Sequence, residues 1–504
     1  MKGHNLLIVS DLHLSEGLDS ESGRFSRLED FLFDDAFARF LRYHEEIKHQ
    51  PRFGGRPWML IINGDLFDFL QVVSVPEKKR LLQAIKGKKQ RRELRFNERE
   101  YGLGTTAEES VWKLEQIAQG HQRFFAALGW FVACGNHVAV IKGNHDIELH
   151  WPQVQERFAA EVERAYTRER QKLAHGQPVE PGHIKARVHC YPWFYYEPGR
   201  IYIEHGGQYE AANHFRDFLN PVLPDDPRRI ELPWGSLFVR YLFNKIEDVH
   251  PFADNVKPIT RYLAWALKKD PIRTIEVIVT RSPVFLRSLW NVARKTMASA
   301  RHSAPGVVQD WQPDPATLPS EIAKKISDLA QQYINSSWRG WISSAIRGLL
   351  SLLITLIIGT FIVLTVLTLT DGLGWMTVAY LGAAVLAYFL RRGLKRNLDY
   401  ILERSYLLEA ARDLEQILEP DCAVRYIALG HDHKAAMERM ERAWYVNTGA
   451  WVPVYREKGP IEGREELTFF RLDWGYEGTP ELLRWDDAAG APARVVLWPD
   501  VGGW

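Results

Sequence analysis

The sequence predicts an α/β protein whose strands end in polar residues. Apolar runs of strand length alternate with amphipathic stretches of helical spacing, and several runs end in Asp, His or Asn. Polar side chains at the end of a buried strand are costly to hold there unless they bind something. After residue 215 the pattern breaks, and two long uncharged stretches follow. We therefore expect an α/β domain with a functional edge, divided by an insertion.

Composition sets broad bounds on function. The 504 residues allow one large domain with insertions, or two domains. Lys and Arg number 64 against 63 Asp and Glu, so no nucleic-acid partner is expected. Cys134, Cys190 and Cys422 form no spaced pair, which favours a reducing compartment and argues against a Cys-zinc site. Asp11 interrupts the first apolar run too early for a signal peptide.

The first two strands carry acidic residues at their ends. The strand predicted at 5–9 is followed by Asp11 and His13, and the strand at 58–62 is followed by Asp65. A carboxylate and an imidazole together suit a divalent metal. Considered alone, a loop with an Asx turn is the better explanation of the cluster of Asp11 and His13.

A third cluster follows the strand predicted at 138–141. Asn144 offers an amide oxygen, His145 a titratable imidazole and Asp146 a carboxylate. Asp68, three residues after Asp65, is interpreted as a hydrogen-bond partner behind the metal ligands.

Histidines end two later strands. His205 follows the strand predicted at 201–203 and precedes two glycines, which leave room for an ion. His431 and His433 follow the strand predicted at 423–429 in a tight turn. Helices with an apolar stripe are predicted at 25–48, 107–128, 154–173 and 397–419.

Two apolar stretches at 348–370 and 375–390 predict a membrane hairpin. As a helix the first would extend roughly 35 Å, enough to cross the bilayer core. Basic residues flank the pair and only Asp371 lies between them, which favours both ends in the cytoplasm. We expect the bilayer as a partner through 348–390, at the inner (cytoplasmic) membrane, with the catalytic domain facing the cytoplasm. A buried hairpin of a soluble domain is the alternative.

Taken in order, the clusters read D-x-H, G-D-x-x-D, G-N-H-D, H-G and G-H-x-H. This series resembles the calcineurin-like metallophosphoesterase superfamily over about residues 1–215 and 420–475. The resemblance implies a four-layer α/β/β/α sandwich, here interrupted by a helical insertion with a two-helix transmembrane hairpin. The predicted domains are 1–215 (first part of the phosphoesterase domain), 216–345 (helical, basic-aromatic insertion), 346–396 (hairpin), 397–475 (second part) and 476–504 (C-terminal tail).

The resemblance also implies a dinuclear metal site. Its ligands would be Asp11, His13, Asp65, Asn144, His205, His431 and His433. Asp65 would bridge the ions, His145 would be the catalytic residue that protonates the leaving oxygen, and Asp146 would orient His145.

The chemistry expected of such a site is phosphoester hydrolysis. Two divalent ions roughly 3.5–4 Å apart can clamp a phosphate and lower the pKa of a bridging water, which then attacks phosphorus in line. Oxygen and imidazole ligands without thiolate fit Mn, our first expectation, and also Fe, Zn or Co. The bond cleaved would be a phosphomonoester, a phosphodiester or a pyrophosphate.

The insertion favours a lipid-linked or membrane-proximal phosphoester substrate. Asp11 to Ser15 and Gly64 to Asp68 also resemble the branch that cleaves UDP-diacylglucosamine, although that branch often has Arg where this chain has His145. Basic and aromatic residues alternate within 258–300, as in a helix on an anionic membrane or in an ordinary helical subdomain. Two alternatives remain open: an anchored enzyme for soluble nucleotides, and a membrane scaffold with a vestigial phosphoesterase fold.

Overall fold

The computed structural model describes most of the chain outside the predicted hairpin. The described residues are 3–76, 94, 96–173, 183–210, 212–247, scattered positions between 265 and 287, 318–332, 382, 406–419, 421–454, 464–474 and 480–495.

Two sheets form the centre of the fold. Their strands are β1 (Asn5–Val9), β2 (Trp58–Asn63), β3 (His137–Ile141), β4 (Val188–Tyr191), β5 (Phe194–Glu197), β6 (Ile201–Glu204), β7 (Val222–Leu223), β8 (Asp226–Ile230), β9 (Tyr426–Leu429), β10 (Ala436–Arg439), β11 (Trp444–Asn447), β12 (Pro453–Val454), β13 (Arg464–Glu465), β14 (Thr468–Leu472), β15 (Glu481–Asp486) and β16 (Ala491–Arg494), of which β7–β8 and β12–β13 are separate hairpin pairs. The helices are α1 (Asp34–Ile47), α2 (Phe96–Tyr101), α3 (Ala107–Gly120), α4 (Gln122–Ala133), α5 (Pro152–Leu173), α6 (Trp234–Phe238), α7 (Asn244–Glu247) and α8 (Leu407–Leu418).

The larger sheet has seven strands in the order β16-β15-β14-β1-β2-β3-β4. β1 to β4 run parallel, and β14 pairs with β1 in the antiparallel sense. The smaller sheet has the order β10-β11-β9-β6-β5, with β6, β9 and β11 parallel. Parallel strands place their carboxyl ends at one edge, and this shared edge positions the site described below.

Side-chain alternation along β1 shows how the layers pack. Leu6 and Ile8 lie in the core between the two sheets, together with Ile203 and Ala428 from the smaller sheet. Leu7 and the other odd-numbered apolar residues face the helices, because successive side chains of a strand point to opposite faces. The predicted α/β class is confirmed, and the layers follow the order helix, sheet, sheet, helix.

The segment predicted as a C-terminal tail, 476–504, contributes instead to the larger sheet. β15 pairs with β14, and β16 pairs with β15. Trp485 of β15 is fully buried against Phe40 and Tyr43 of α1. The tail prediction is wrong for residues 481–494 because these strands are defined by their pairing with β14 and with each other, and that pairing cannot be recognised locally.

The predicted insertion, 216–345, begins with a β-hairpin rather than a helix. The Ile230 amide of this hairpin donates a hydrogen bond to Thr105 Oγ1, and Ile230 packs with Leu70 and Ile147 of the catalytic part. The structure describes 320–332 as helical, and Ile322 and Ile326 of that helix join the core beneath α8. Described parts of the insertion therefore pack directly on the phosphoesterase-like layers.

The predicted membrane hairpin lies outside the described residues, apart from Gly382. Among the helices that the structure describes, none has both the length and the apolar character needed to cross a bilayer.

Candidate metal centre

Loops that follow five strands meet at one edge of the sandwich. β1, β2 and β3 are neighbours in the larger sheet, and β6 and β9 are neighbours in the smaller sheet. The structure brings together the seven side chains predicted as ligands, which are Asp11, His13, Asp65, Asn144, His205, His431 and His433. All seven are less than one-tenth exposed.

One group with the spacing of metal ligands contains Asp11, His13 and His433. Asp11 Oδ1 lies 3.9 Å from His13 Nε2 and 3.4 Å from His433 Nε2, and the two Nε2 atoms are 3.1 Å apart. Within the described part of the chain, this buried oxygen of Asp11 has no hydrogen-bond donor. A carboxylate oxygen that faces two imidazole nitrogens without a donor fits a divalent cation.

A second group contains Asp65, His205 and His431, and Asn144 adjoins it. His205 Nε2 lies 3.1 Å from Asp65 Oδ2 and 3.0 Å from Asn144 Oδ1. The other ring nitrogen of His205, Nδ1, lies 2.9 Å from the Asn63 carbonyl oxygen. Since a carbonyl only accepts, Nδ1 donates to it, and Nε2 is the ring nitrogen that faces Asp65 and Asn144.

Asp65 lies between the two groups. Its Oδ2 is 3.9 Å from His13 Nε2 on one side and 3.1 Å from His205 Nε2 on the other. Burial raises the pKa of Asp65, but His205, His145 and His13 outweigh it and hold the pKa well below its ordinary value. Burial likewise lowers the pKa of His205, but Asp65 outweighs it and raises the pKa to about 9. Asp65 is therefore an ionised carboxylate that both groups share.

The backbone is strained at most of these positions. Among the described residues, six that are not glycine have a positive φ, and five of these six are predicted ligands: Asp11, His13, Asp65, His431 and His433. Such conformations cost on the order of 1–3 kcal/mol each and persist where the surrounding structure imposes them, often at functional sites. The strain is a second, independent sign that this edge is a functional site.

Gly143 and Gly64 allow the loops to approach each other closely. A Cβ atom at Gly143 would lie 2.2 Å from Asp65 Oδ1, and one at Gly64 would lie 2.3 Å from His205 Nδ1. Both positions therefore require glycine for Asp65 and His205 to reach the site.

His145 contacts Asp68 rather than Asp146. His145 Nδ1 lies 2.6 Å from Asp68 Oδ2, and Asp68 Oδ1 accepts hydrogen bonds from the backbone amides of Leu70 and Gln71. Burial raises the pKa of Asp68, but His145 and His13 outweigh it and keep the pKa below its ordinary value. The ionised carboxylate of Asp68 therefore orients the imidazole of His145.

The prediction that Asp146 orients His145 is wrong. Oδ1 of Asp146 accepts from the Gly143 amide at 2.6 Å, and Oδ2 accepts from the Leu66 amide at 2.8 Å. Its carboxylate thus joins the loops after β2 and β3 from behind. Burial and the neighbouring Asp65 raise the pKa of Asp146 to about 7.

Glu210 is a site residue that the sequence interpretation missed. Its Oε2 lies 2.6 Å from His431 Nε2. Glu210 follows the short helical turn Gly207–Tyr209, not a strand, so the pattern of polar residues at strand ends could not identify it. Its position five residues after His205, in the same loop, is the one available signal.

A cleft of about 200 Å³ adjoins Asn144 and His205. Trp193, Phe218 and Lys142 contribute to its lining. Lys142 Nζ donates to the Phe218 carbonyl oxygen at 2.6 Å, and burial lowers the pKa of Lys142 to about 7. The cleft combines aromatic surface with an amino group beside the candidate metal centre.

Comparison with known proteins agrees with this geometry. The family model described as calcineurin-like phosphoesterase matches residues 4–277, which is more than half of the chain. No curated protein matches the chain.

Proposed function

The chain belongs to the calcineurin-like phosphoesterase family, and from this premise we propose that it hydrolyses a phosphomonoester, phosphodiester or pyrophosphate bond with the help of two divalent cations. Metal-dependent phosphoester hydrolysis is the activity that the family indicates. The observation that supports two cations is Asp65, whose Oδ2 faces imidazole nitrogens on both of its sides.

The chain's own residues divide into two ligand sets under this proposal. Asp11, His13 and His433 hold one cation, and Asn144, His205 and His431 hold the other, with Asp65 shared. When bound, the cations neutralise the phosphate charge and acidify the attacking water. Mn is the first candidate, with Fe, Zn or Co as alternatives, because the donors are oxygen and imidazole nitrogen without thiolate.

His145 is positioned to deliver a proton to the leaving oxygen. Its ring lies against that of His13, with centroids 4.7 Å apart, and Asp68 holds its Nδ1. Nε2 is therefore the nitrogen that faces the substrate. An imidazole held by a carboxylate keeps its proton near neutral pH and gives it up in the transition state.

The substrate class that we propose is a lipid-linked or membrane-proximal phosphoester. The apolar stretches 348–370 and 375–390 lie within the insertion and support anchoring at the inner membrane with the site facing the cytoplasm.

Hydrolysis assays on the full-length protein test the activity. With Mn²⁺ supplied, the protein should hydrolyse p-nitrophenyl phosphate or its bis ester, and Asp65→Asn should lower the rate at least about 10³-fold because both cations lose their shared ligand. Wild-type protein that contains no metal and is inert on both esters would favour the scaffold alternative.

Substrate and location need separate measurements. Rates should be higher on phosphoesters presented in detergent micelles or vesicles than on nucleotides of the same phosphate type. Preference for soluble nucleotides would instead support the anchored nucleotide enzyme. After an alkaline wash of membranes, the protein should remain in the pellet, and complete release into the supernatant would contradict the hairpin.

A further inference from the structure

We propose that Glu210 is a positioning residue for the cation that His431 binds, and that it links this cation to the point where the chain returns from its insertion. The inference deepens the proposed function and rests on its two-cation site. Glu210 belongs to none of the groups of metal-ligand spacing among the described residues, and it contacts the candidate ligand His431 instead.

The two ring nitrogens of His431 have different surroundings. Nε2 lies 2.6 Å from Glu210 Oε2, whereas Nδ1 is buried and has no hydrogen-bond partner among the described residues. A carboxylate that accepts the Nε2 hydrogen leaves the lone pair on Nδ1. Nδ1 is then the atom that binds the cation, and the carboxylate fixes the tautomer and makes the imidazole a stronger ligand.

The loop that carries Glu210 is itself held firmly. Tyr209, the preceding residue, is fully buried, and its hydroxyl donates to the buried carboxylate of Glu204 at 3.0 Å. Asn213 Nδ2 donates to Glu210 Oε2 at 2.7 Å. These contacts place the carboxylate of Glu210 before any cation binds, as a positioning role requires.

A third contact reaches the insertion. The hydroxyl of Tyr406 lies near the carboxylate of Glu210. Tyr406 directly precedes α8, and Leu407, the first residue of α8, packs beside Gly206 in the loop of His205. The start of α8, where the described chain resumes after the predicted hairpin, therefore contacts the second ligand set through Tyr406 and Leu407.

Cation binding by substituted proteins tests the inference without any activity measurement. Mn²⁺ binding to full-length protein should be titrated against a fluorescent chelator, with metal content measured after gel filtration. In Glu210→Ala the weaker of the two cations should lose affinity about 10- to 100-fold while the other keeps its affinity. Glu210→Gln should lose less affinity for this cation, because the amide oxygen of Gln can still accept the hydrogen of His431 Nε2. Tyr406→Phe should lose less than Glu210→Ala, because His431 keeps its partner.

The matched control is Glu438→Gln, which removes a carboxylate that pairs with Arg412 on the protein surface. It should bind both cations like the wild type. The melting temperature of each metal-free variant should equal that of the wild type, because the proposed role concerns the cation and not the fold.

Three outcomes would overturn the inference. These are unchanged binding of both cations in Glu210→Ala, equal weakening of both, and tighter binding, which would mean that Glu210 competes with the cation. A wild type that binds two cations but hydrolyses no phosphoester removes the proposed function and leaves this inference intact. If the wild type is active but Glu210→Ala keeps its affinity for both cations, this inference fails and the proposed function stands.

Discussion

Two buried clusters of carboxylates and imidazoles differ in how their charges are satisfied. In the His121 cluster, defined here as His121, Glu29 and Asp34, one imidazole lies 3.1 Å from Glu29 Oε2 and 2.9 Å from Asp34 Oδ2. Glu29 also accepts hydrogen bonds from the backbone amides of Ser15, Gly17 and Phe31. Both ring nitrogens of His121 thus face a carboxylate of the chain, although Nε2 makes no hydrogen bond of regular geometry among the described residues.

The metal centre is arranged differently, because imidazoles there face each other as well as carboxylates. Imidazole nitrogens of His13 and His433 face each other at 3.1 Å, and Asp11 Oδ1 has no donor among the described residues. Its ligands also lie on strained backbone, whereas Glu29, Asp34 and His121 all have negative φ. Burial and a missing hydrogen bond therefore occur in both clusters, and strained backbone at the ligand positions is what distinguishes the metal centre.

The largest expected effect concerns the chemistry of the metal centre. His145→Asn should lower kcat about 10²- to 10⁴-fold for a phosphoester with a poor leaving group, because the proton donor is lost. The loss should be much smaller for p-nitrophenyl phosphate, whose leaving group needs no proton. Parallel rate measurements on phenyl and p-nitrophenyl phosphate, with metal content checked, test this. Equal losses on both esters would exclude the acid role.

The next largest effect concerns the His121 cluster and depends on pH. Burial lowers the pKa of His121, but the carboxylates of Glu29 and Asp34 outweigh burial and raise this pKa to about 10. A raised folded-state pKa means that the stabilisation is full below about pH 6.5 and is lost as pH rises towards 10. His121→Gln should therefore reduce the free energy of unfolding by about 3 kcal/mol at pH 6, because a buried pair is broken.

Urea unfolding of His121→Gln and wild type at pH 6 and pH 9.5 measures this dependence. The difference between the two proteins should shrink at the higher pH. A difference that stays constant across this range would show that His121 has the same pKa in the folded and the unfolded protein.

Cation binding at the metal centre should stabilise the wild-type protein. Mn²⁺ at about 100 times its dissociation constant should add about 2.7 kcal/mol to the free energy of unfolding, because it binds the folded chain. Asp11→Asn should gain less, since one ligand set loses its carboxylate. Unfolding curves with Mn²⁺ and with chelator measure both gains, and the same gain in both proteins would contradict the assignment of Asp11.

The smallest effect separates Asp68 from Asp146. Asp68→Asn should raise the ratio of p-nitrophenyl to phenyl phosphate hydrolysis by about tenfold, because it weakens the proton donor, whereas the loss of its contact with His13 affects both esters equally. Asp146→Asn should lower both rates by the same factor, because Asp146 holds only backbone amides. If the ratio instead changed in Asp146→Asn and not in Asp68→Asn, Asp146 would be the partner of His145.

Several errors of the sequence interpretation share one cause. The helix predicted at 107–128 is two helices that meet at His121, where φ is −112° and ψ is 41°. The apolar spacing continues across this break, so periodicity cannot detect it. The break is set by the contacts of His121 with Glu29 and Asp34, which are far away in the sequence. Similarly, β15 and β16 are recognisable only from the pairing of β15 with β14 and of β16 with β15.

The sequence by itself determined the α/β class and, through its resemblance to a known family, the seven candidate ligands. Both depend on local patterns: an apolar run predicts a strand, and the motifs of the family are short runs of residues at the strand ends. Only the tertiary structure decided which side chains pair: His145 with Asp68, Asp146 with two backbone amides, and Glu210 with His431. The reason is that a side chain's partner depends on which loops meet at the sheet edge, and that meeting depends on strand order and twist across both sheets.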